Sequence, residues 1–192
     1  MAKNNLHLDL RELTKWGKKA PKVLQQATRR ALPKGGHLYA NLVKRKMSGP
    51  VLKRRTGNLV RSVTVGKVEG TGGNLRLRVG SNLVYAPIHE FGKRVKPTRS
   101  KYLTIPLDAA KTAAGVQRFS ARKAPGPTFV KRSKKGNLII FRNAGGNLIP
   151  LFLLRKSVKI PKRPIWRPSL VEVREPLREF LVSEVEAGIR RS

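Results

Sequence analysis

Apolar residues at Leu10, Leu13, Trp16, Ala20, Val23/Leu24 and Ala27 recur at steps of three and four, the spacing of one face of an α-helix. Pro33 and Gly35-Gly36 interrupt that pattern, and Leu38, Leu42, Val43 and Met47 resume it until Gly49-Pro50. The spacing predicts two helices, or one long helix broken near Pro33. The period then changes to two. Leu59, Val63 and Val65 share one parity, and Leu75, Leu77 and Val79 alternate with Arg76 and Arg78. The stretch Gly70-Thr71-Gly72-Gly73-Asn74 lies between them, which predicts an antiparallel hairpin. Residues 83–108 predict a short helix or loop followed by a strand at Tyr102–Ile105. From Thr128, the runs TFV, LIIF and LIPLFLL are separated by RSKKGN and NAGGN, a pattern expected of a β-meander or extended β-arm. The helical period returns at Leu170, Val173, Leu177, Phe180/Leu181, Val185 and Ile189. Pro176 would cost about 3 kcal/mol in a helix interior and so predicts a kink or a helix start there.

This order gives an α+β chain: N-terminal helices, an antiparallel β-sheet with a long basic β-arm insertion, and a C-terminal helix. The expected division is an α+β core of residues 1–125 and 161–192, with a basic hairpin or meander arm at 126–160. The 39% of hydrophobic residues in a 192-residue chain can supply a core.

Charge changes the picture more than composition does. The chain carries 43 Lys+Arg against 10 Asp+Glu, a formal net charge of +33. Residues 91–170 hold 20 of the cations and one acid, Asp108, whereas Glu172, Glu175, Glu179, Glu184 and Glu186 fall in the last 21 residues. Such a surface repels itself, and a polyanion relieves the repulsion. The basic runs Lys44-Arg45-Lys46, Lys53-Arg54-Arg55, Lys131-Arg132 with Lys134-Lys135, and Lys159 through Arg167 are the candidate contacts. The whole Lys131–Lys135 run is expected at a hairpin tip, where long cations reach away from the body. Aromatic residues make up 6% and few lie among the basic runs, so base stacking is poorly supported. No Cys₂His₂ spacing or basic zipper is present, and nonspecific phosphate contact is the expectation.

Catalytic chemistry finds little support. The chain has no cysteine, which removes disulfides, thiolate metal sites and thiol nucleophiles. His7, His37 and His89 are scattered, and the adjacent pair His89-Glu90 points its side chains apart, as neighbours on an element do. No carboxylate cluster suited to a two-metal nuclease is visible, and the Gly-rich stretches lack the Gly-Lys-Ser/Thr of a phosphate loop. Neither enzyme activity nor a cofactor is expected. The N-terminal stretch lacks the apolar core of a secretory signal, and the longest apolar run, Asn147–Leu154, is far too short to span a bilayer, so no membrane partner is expected.

Two segments carry a family resemblance. The first is Arg55-Thr56-Gly57-Asn58-Leu59-Val60-Arg61-Ser62, followed by Val79-Gly80-Ser81 and Tyr85-Ala86-Pro87-Ile88-His89-Glu90-Phe91-Gly92. The second is Ile160-Pro161-Lys162-Arg163-Pro164-Ile165-Trp166-Arg167-Pro168-Ser169-Leu170. Their order resembles the tail-completion and head–tail joining proteins of tailed bacteriophages, and the layout is similar to the lambda-type minor tail protein Z group and to virion morphogenesis proteins of Mu-like phages. Compact members bring the two segments close together, whereas here residues 93–159 form a long basic insertion. The resemblance implies a structural role as one subunit of a homo-oligomeric ring at the neck or proximal tail of the virion, assembled in the host cytoplasm. Its implied partners are tail and connector proteins and DNA in the channel. Gly57 and Gly80 are expected at tight turns; Leu59, Tyr85, Ala86, Glu90, Phe91 and Gly92 as fold-maintaining positions; Pro164 and Pro168 in a stiff, extended lead into the last helix. A cellular nonspecific nucleic-acid binder of ribosomal or nucleoid type explains the charge equally well but leaves the paired segments unexplained.

Overall fold

A computed structural model describes residues 6–7, 22–49, 51–71 and 74–190. The expected helical face from Leu10 to Ala20, the stop at Pro50 and the Gly72-Gly73 turn lie outside the described residues. The chain divides into two compact units, one built from the N-terminal part through Phe91 together with Arg163 onward, the other from Gly92 to Lys162.

The first unit contains β1 (Leu6–His7), α1 (Lys22–Lys46), the short α2 (Asn58–Arg61), β2 (Val63–Val65), β3 (Arg78–Ser81), α3 (Ala86–Phe91) and, after the second unit, the C-terminal helix described below. The expected break near Pro33 is absent: α1 runs through Pro33 and both glycines. Gly35 and Gly36 are buried and serve close packing. A Cβ on Gly35 would stand 2.9 Å from Leu177 Cδ1, and one on Gly36 would stand 2.9 Å from Val65 Cγ1 and collide with Leu77. The terminal helix, Trp166–Arg190, likewise continues through Pro176, which is therefore not its start. Ala27, Ala31, Leu177, Leu181 and Val185 form the core between the two long helices, which run antiparallel. Small residues on α1, with Gly188 opposite Ala27, allow this close approach, and the apolar burial offsets the cost of each internal proline. Leu38, expected on the buried face, is exposed, and Tyr39 and Ala40 take that place.

The hairpin is present. Val63, Thr64 and Val65 pair with Ser81, Gly80 and Val79, and Glu69 bridges Arg76. β1 joins on the other side of β3, giving the order β1-β3-β2. Two expectations at its ends are corrected. Leu59 lies in the helical turn α2, because Gly57 bends left-handed at φ 76° and starts that turn directly before the strand. Gly80 is an extended, paired strand residue and makes no turn. Tyr39, Val43, Met47, Leu52, Val63, Val79, Ile165 and Trp166 meet in the core of this unit.

The second unit contains β4 (Lys93–Val95), β5 (Leu103–Pro106), β6 (Thr128–Arg132), β7 (Leu138–Ala144), β8 (Asn147–Arg155) and β9 (Val158–Ile160). The meander forms, with β5 as a further strand, in the order β5-β8-β7-β6. Ala110, Leu151 and Phe152 are buried under it, and Phe119 meets Phe152 edge to face. β4 pairs with β9 and sets Lys93 opposite Ile160, so this unit begins and ends on one two-stranded ribbon. Each of these strands is three residues long, too short for periodicity to reveal.

The packing role of Gly36 is testable. Overpacking a filled site costs about 1–3 kcal/mol, more than the ~1 kcal/mol that alanine gains over glycine in a helix. Gly36→Ala is therefore expected to lower the urea midpoint, whereas Gly49→Ala, with nothing within 4 Å of its Cβ, leaves it nearly unchanged.

Candidate functional site

Glu90 is 6% exposed, and a carboxylate so buried needs partners. It sits on α3, and it finds those partners at the start of the terminal helix, α4 (Trp166–Arg190). Its Oε2 accepts the backbone N–H groups of Ile165 at 2.6 Å and Trp166 at 3.1 Å, and its Oε1 accepts that of Arg167 at 3.3 Å. Pro168 follows and has no N–H to satisfy. The Ser169 N–H then makes the first intrahelical bond, to the Ile165 carbonyl at 3.0 Å. Every donor that the start of a helix leaves orphaned is thus either capped by one side chain or absent. The carboxylate also places negative charge at the positive end of the helix dipole.

Two further contacts fix the same junction. The Arg163 N–H donates to the His89 carbonyl at 2.6 Å, and the buried Tyr39 hydroxyl donates to the Trp166 carbonyl at 2.9 Å. Tyr39 and Trp166 rings pack with centroids 6.3 Å apart. Burial, and then the charge of Glu90, push ionisation of the Tyr39 phenol far above its ordinary range. The two resembling segments therefore meet at Glu90 and Ile165–Pro168. Glu90 and Pro168 were legible as motif residues, but Tyr39 carried no signal beyond helical periodicity. Pro168 departs from the expected extended lead, since it occupies the first turn of α4, where a missing N–H costs nothing. Pro164 is exposed ahead of the helix.

The remaining motif residues divide. Ala86 is buried, while Tyr85 is 40% exposed and meets His89 edge to face at 6.4 Å. Phe91, expected to maintain the fold, is 59% exposed. Gly92 has φ +68°, and a Cβ on it would come within 2.8 Å of the Lys162 nitrogen, so glycine is required by both backbone and space.

The basic candidates fall in separate places. Lys44, Arg45 and Lys46 occupy the last turn of α1, where cations suit the helix dipole, and Lys46 is paired with Glu172. The Val51 and Leu52 N–H groups fold back onto the Lys46 carbonyl and lead directly to the exposed Lys53, Arg54 and Arg55. Lys131 and Arg132 stand at the end of strand β6, not in the tip as expected; Lys134 and Lys135 occupy the turn itself. Among the described residues no group of His, Asp and Glu is placed to hold a metal ion. No described helix is long and apolar enough to cross a membrane.

Residues 11–92 match the family model described as "Bacteriophage HK97-gp10, putative tail-component". This stretch of the chain is similar to a phage tail component, in agreement with the resemblance carried by Arg55–Gly92. Neither the curated proteins nor the solved structures give a match.

Two outcomes check the junction. Glu90→Ala leaves three backbone donors without their acceptor and is expected to cost on the order of 3 kcal/mol or more, with Glu90→Gln costing less because one oxygen still accepts; chemical denaturation measures both. The second concerns His89, whose Nδ1 is buried without a hydrogen-bond partner among the described residues. Burial, and then the nearby Arg163 charge, hold its pKa below the ordinary 6.5. A lowered folded pKa means that the unfolded chain takes up the proton first. The contribution is complete above about pH 6.5 and is lost as pH falls below it. The melting temperature should fall from pH 7.5 to 5.5, and His89→Gln should flatten that fall.

Proposed function

We propose, taking the tail-component likeness of residues 11–92 as premise, that this chain acts in tail completion or head–tail joining at the neck or proximal tail of a tailed phage. It works as one subunit of a homo-oligomeric ring that packs against tail and connector proteins. Lys44, Arg45, Lys46, Lys53, Arg54, Arg55, Lys131, Arg132, Lys134 and Lys135 supply a basic surface for DNA in the channel. The observation that carries this reading is the family match; the buried Glu90 junction supports it, because it gives the two resembling segments one physical purpose. Phosphate contact without base readout suits a lumen in which DNA is held and still slides. The mechanism is assembly, with no bond made or broken.

The charge distribution favours this use. Gly92–Lys162 holds 18 Lys and Arg against one acid, Asp108, which is itself paired with Lys111. Such a unit is expected to remain close to a polyanion at ordinary salt.

Peptide mass spectrometry of density-purified particles, scaled to the tail-tube protein, tests the proposal. A few to a dozen copies per particle are expected of a neck or tail ring. Absence from intact particles, with recovery alongside ribosomes or the nucleoid, would replace the virion role with that of a cellular nucleic-acid binder.

A further inference from the structure

Around Gly57 the chain brings two guanidinium groups together. A Cβ at Gly57 would lie 2.9 Å from Arg54 Nε, 3.0 Å from a terminal nitrogen of Arg54 and 3.0 Å from a terminal nitrogen of Arg61. The two terminal nitrogens are thus no more than about 6 Å apart, a spacing at which like charges repel. Arg61 is held there by neutral acceptors: its other terminal nitrogen donates to the Thr56 carbonyl at 3.0 Å and to Asn58 Oδ1 at 2.6 Å. Among the described residues neither arginine has a carboxylate partner. Among the described residues, acids of this unit pair with Lys34, Lys46, Arg78 and Arg178.

We infer that Arg54 and Arg61, folded over Gly57 from two sides, form a clamp for a single phosphate group of a nucleic-acid backbone. The inference rests on the DNA-contacting part of the proposed function and sharpens it to one site. Guanidinium forks match the non-bridging oxygens of a phosphate, and two forks this close share one phosphate more readily than they reach two. The centre favours glycine: φ +76° disfavours any side chain, and a methyl group would displace both guanidiniums from the positions they hold. The exposed Lys53 directly precedes Arg54 in the chain and adds a further cation there. Arg61 was absent from the residues that charge runs singled out, because it stands alone in the sequence.

Fluorescence anisotropy of a labelled random-sequence duplex, titrated with the full chain at several salt concentrations, tests the clamp. Arg54→Gln with Arg61→Gln is expected to weaken binding about tenfold and to reduce the salt slope by about 0.9, the value for one phosphate. The two single substitutions should each give most of that loss, so their effects fall short of additivity. Gly57→Ala keeps the charge at +33 and should reproduce the loss; a circular dichroism melt confirms folding, and should it fail to fold, the arginine variants decide alone. A slope reduced by about 1.8 would mean two separate phosphates, and an unchanged slope would mean none; either overturns the clamp. In both cases loss of binding in Lys131→Gln with Lys134→Gln would leave the wider DNA contact standing. A wild-type chain that binds no DNA overturns the clamp and the DNA-facing surface together, while the virion role stays with particle mass spectrometry. Inorganic phosphate at matched ionic strength separates the two phosphate sources. Displacement of DNA no stronger than by chloride is expected for a backbone diester, and selective displacement by millimolar phosphate would assign the site to the free anion.

Discussion

The carboxylate of Glu90 is the interaction on which the first unit depends. One buried side chain accepts the N–H groups of Ile165, Trp166 and Arg167, and so fixes where a 25-residue helix begins. Residue 90 and residue 165 are distant in sequence, with the whole of Gly92–Lys162 between them. A hydrogen bond across such a gap closes a long loop, and loop-closure cost grows only slowly with length. That is why a 71-residue excursion can be carried between the two segments without loosening the junction. Once α4 starts at Trp166, its register sets Leu177, Leu181 and Val185 against Ala27 and Ala31 of α1. Tyr39 then ties the same helix start to the middle of α1.

Charge is handled differently inside and outside this core. Among the described residues of the first unit, Glu90 serves as a cap, Glu172 and Glu184 pair with lysines of α1, and Glu69 pairs with Arg78. Exposed ion pairs of this kind contribute little to stability, typically under about 1 kcal/mol each. Their larger effect is that few anions are left to quiet the remaining cations. The molecule therefore presents a field that a polyanion satisfies, and over Gly57 the guanidiniums of Arg54 and Arg61 come close together, Arg61 held there by neutral acceptors.

Much of the fold was legible because period is robust. The hairpin around β2 and β3, the meander of β6 to β8 and the helical face of α4 all follow from spacing alone. What failed did so for identifiable reasons. Pro33, Gly35-Gly36 and Pro176 are breakers by local propensity, yet tertiary burial keeps both helices intact, and the glycines turned out to be contact points. Leu59 has the parity of a strand residue, but the left-handed Gly57 commits it to a turn. Of the candidate site, Glu90 and Pro168 could be named from motif order, while their joint task could not. A cap is a relation between a side chain and backbone donors about 75 residues away, and backbone donors leave no trace in sequence. The exposed Phe91 and the pairing of Arg61 with Arg54 were equally invisible, since both depend on which neighbours the fold supplies.

Amide hydrogen exchange at Ile165, Trp166 and Arg167, followed by NMR in the wild-type chain and in Glu90→Gln, tests the central claim most directly. Helix starts ordinarily fray, so unprotected amides are the default there. The Glu90 cap predicts that all three exchange as slowly as the core amides of α4, and that Glu90→Gln speeds these three selectively. Rapid exchange at these positions in the wild-type chain, or protection indifferent to the substitution, would contradict it.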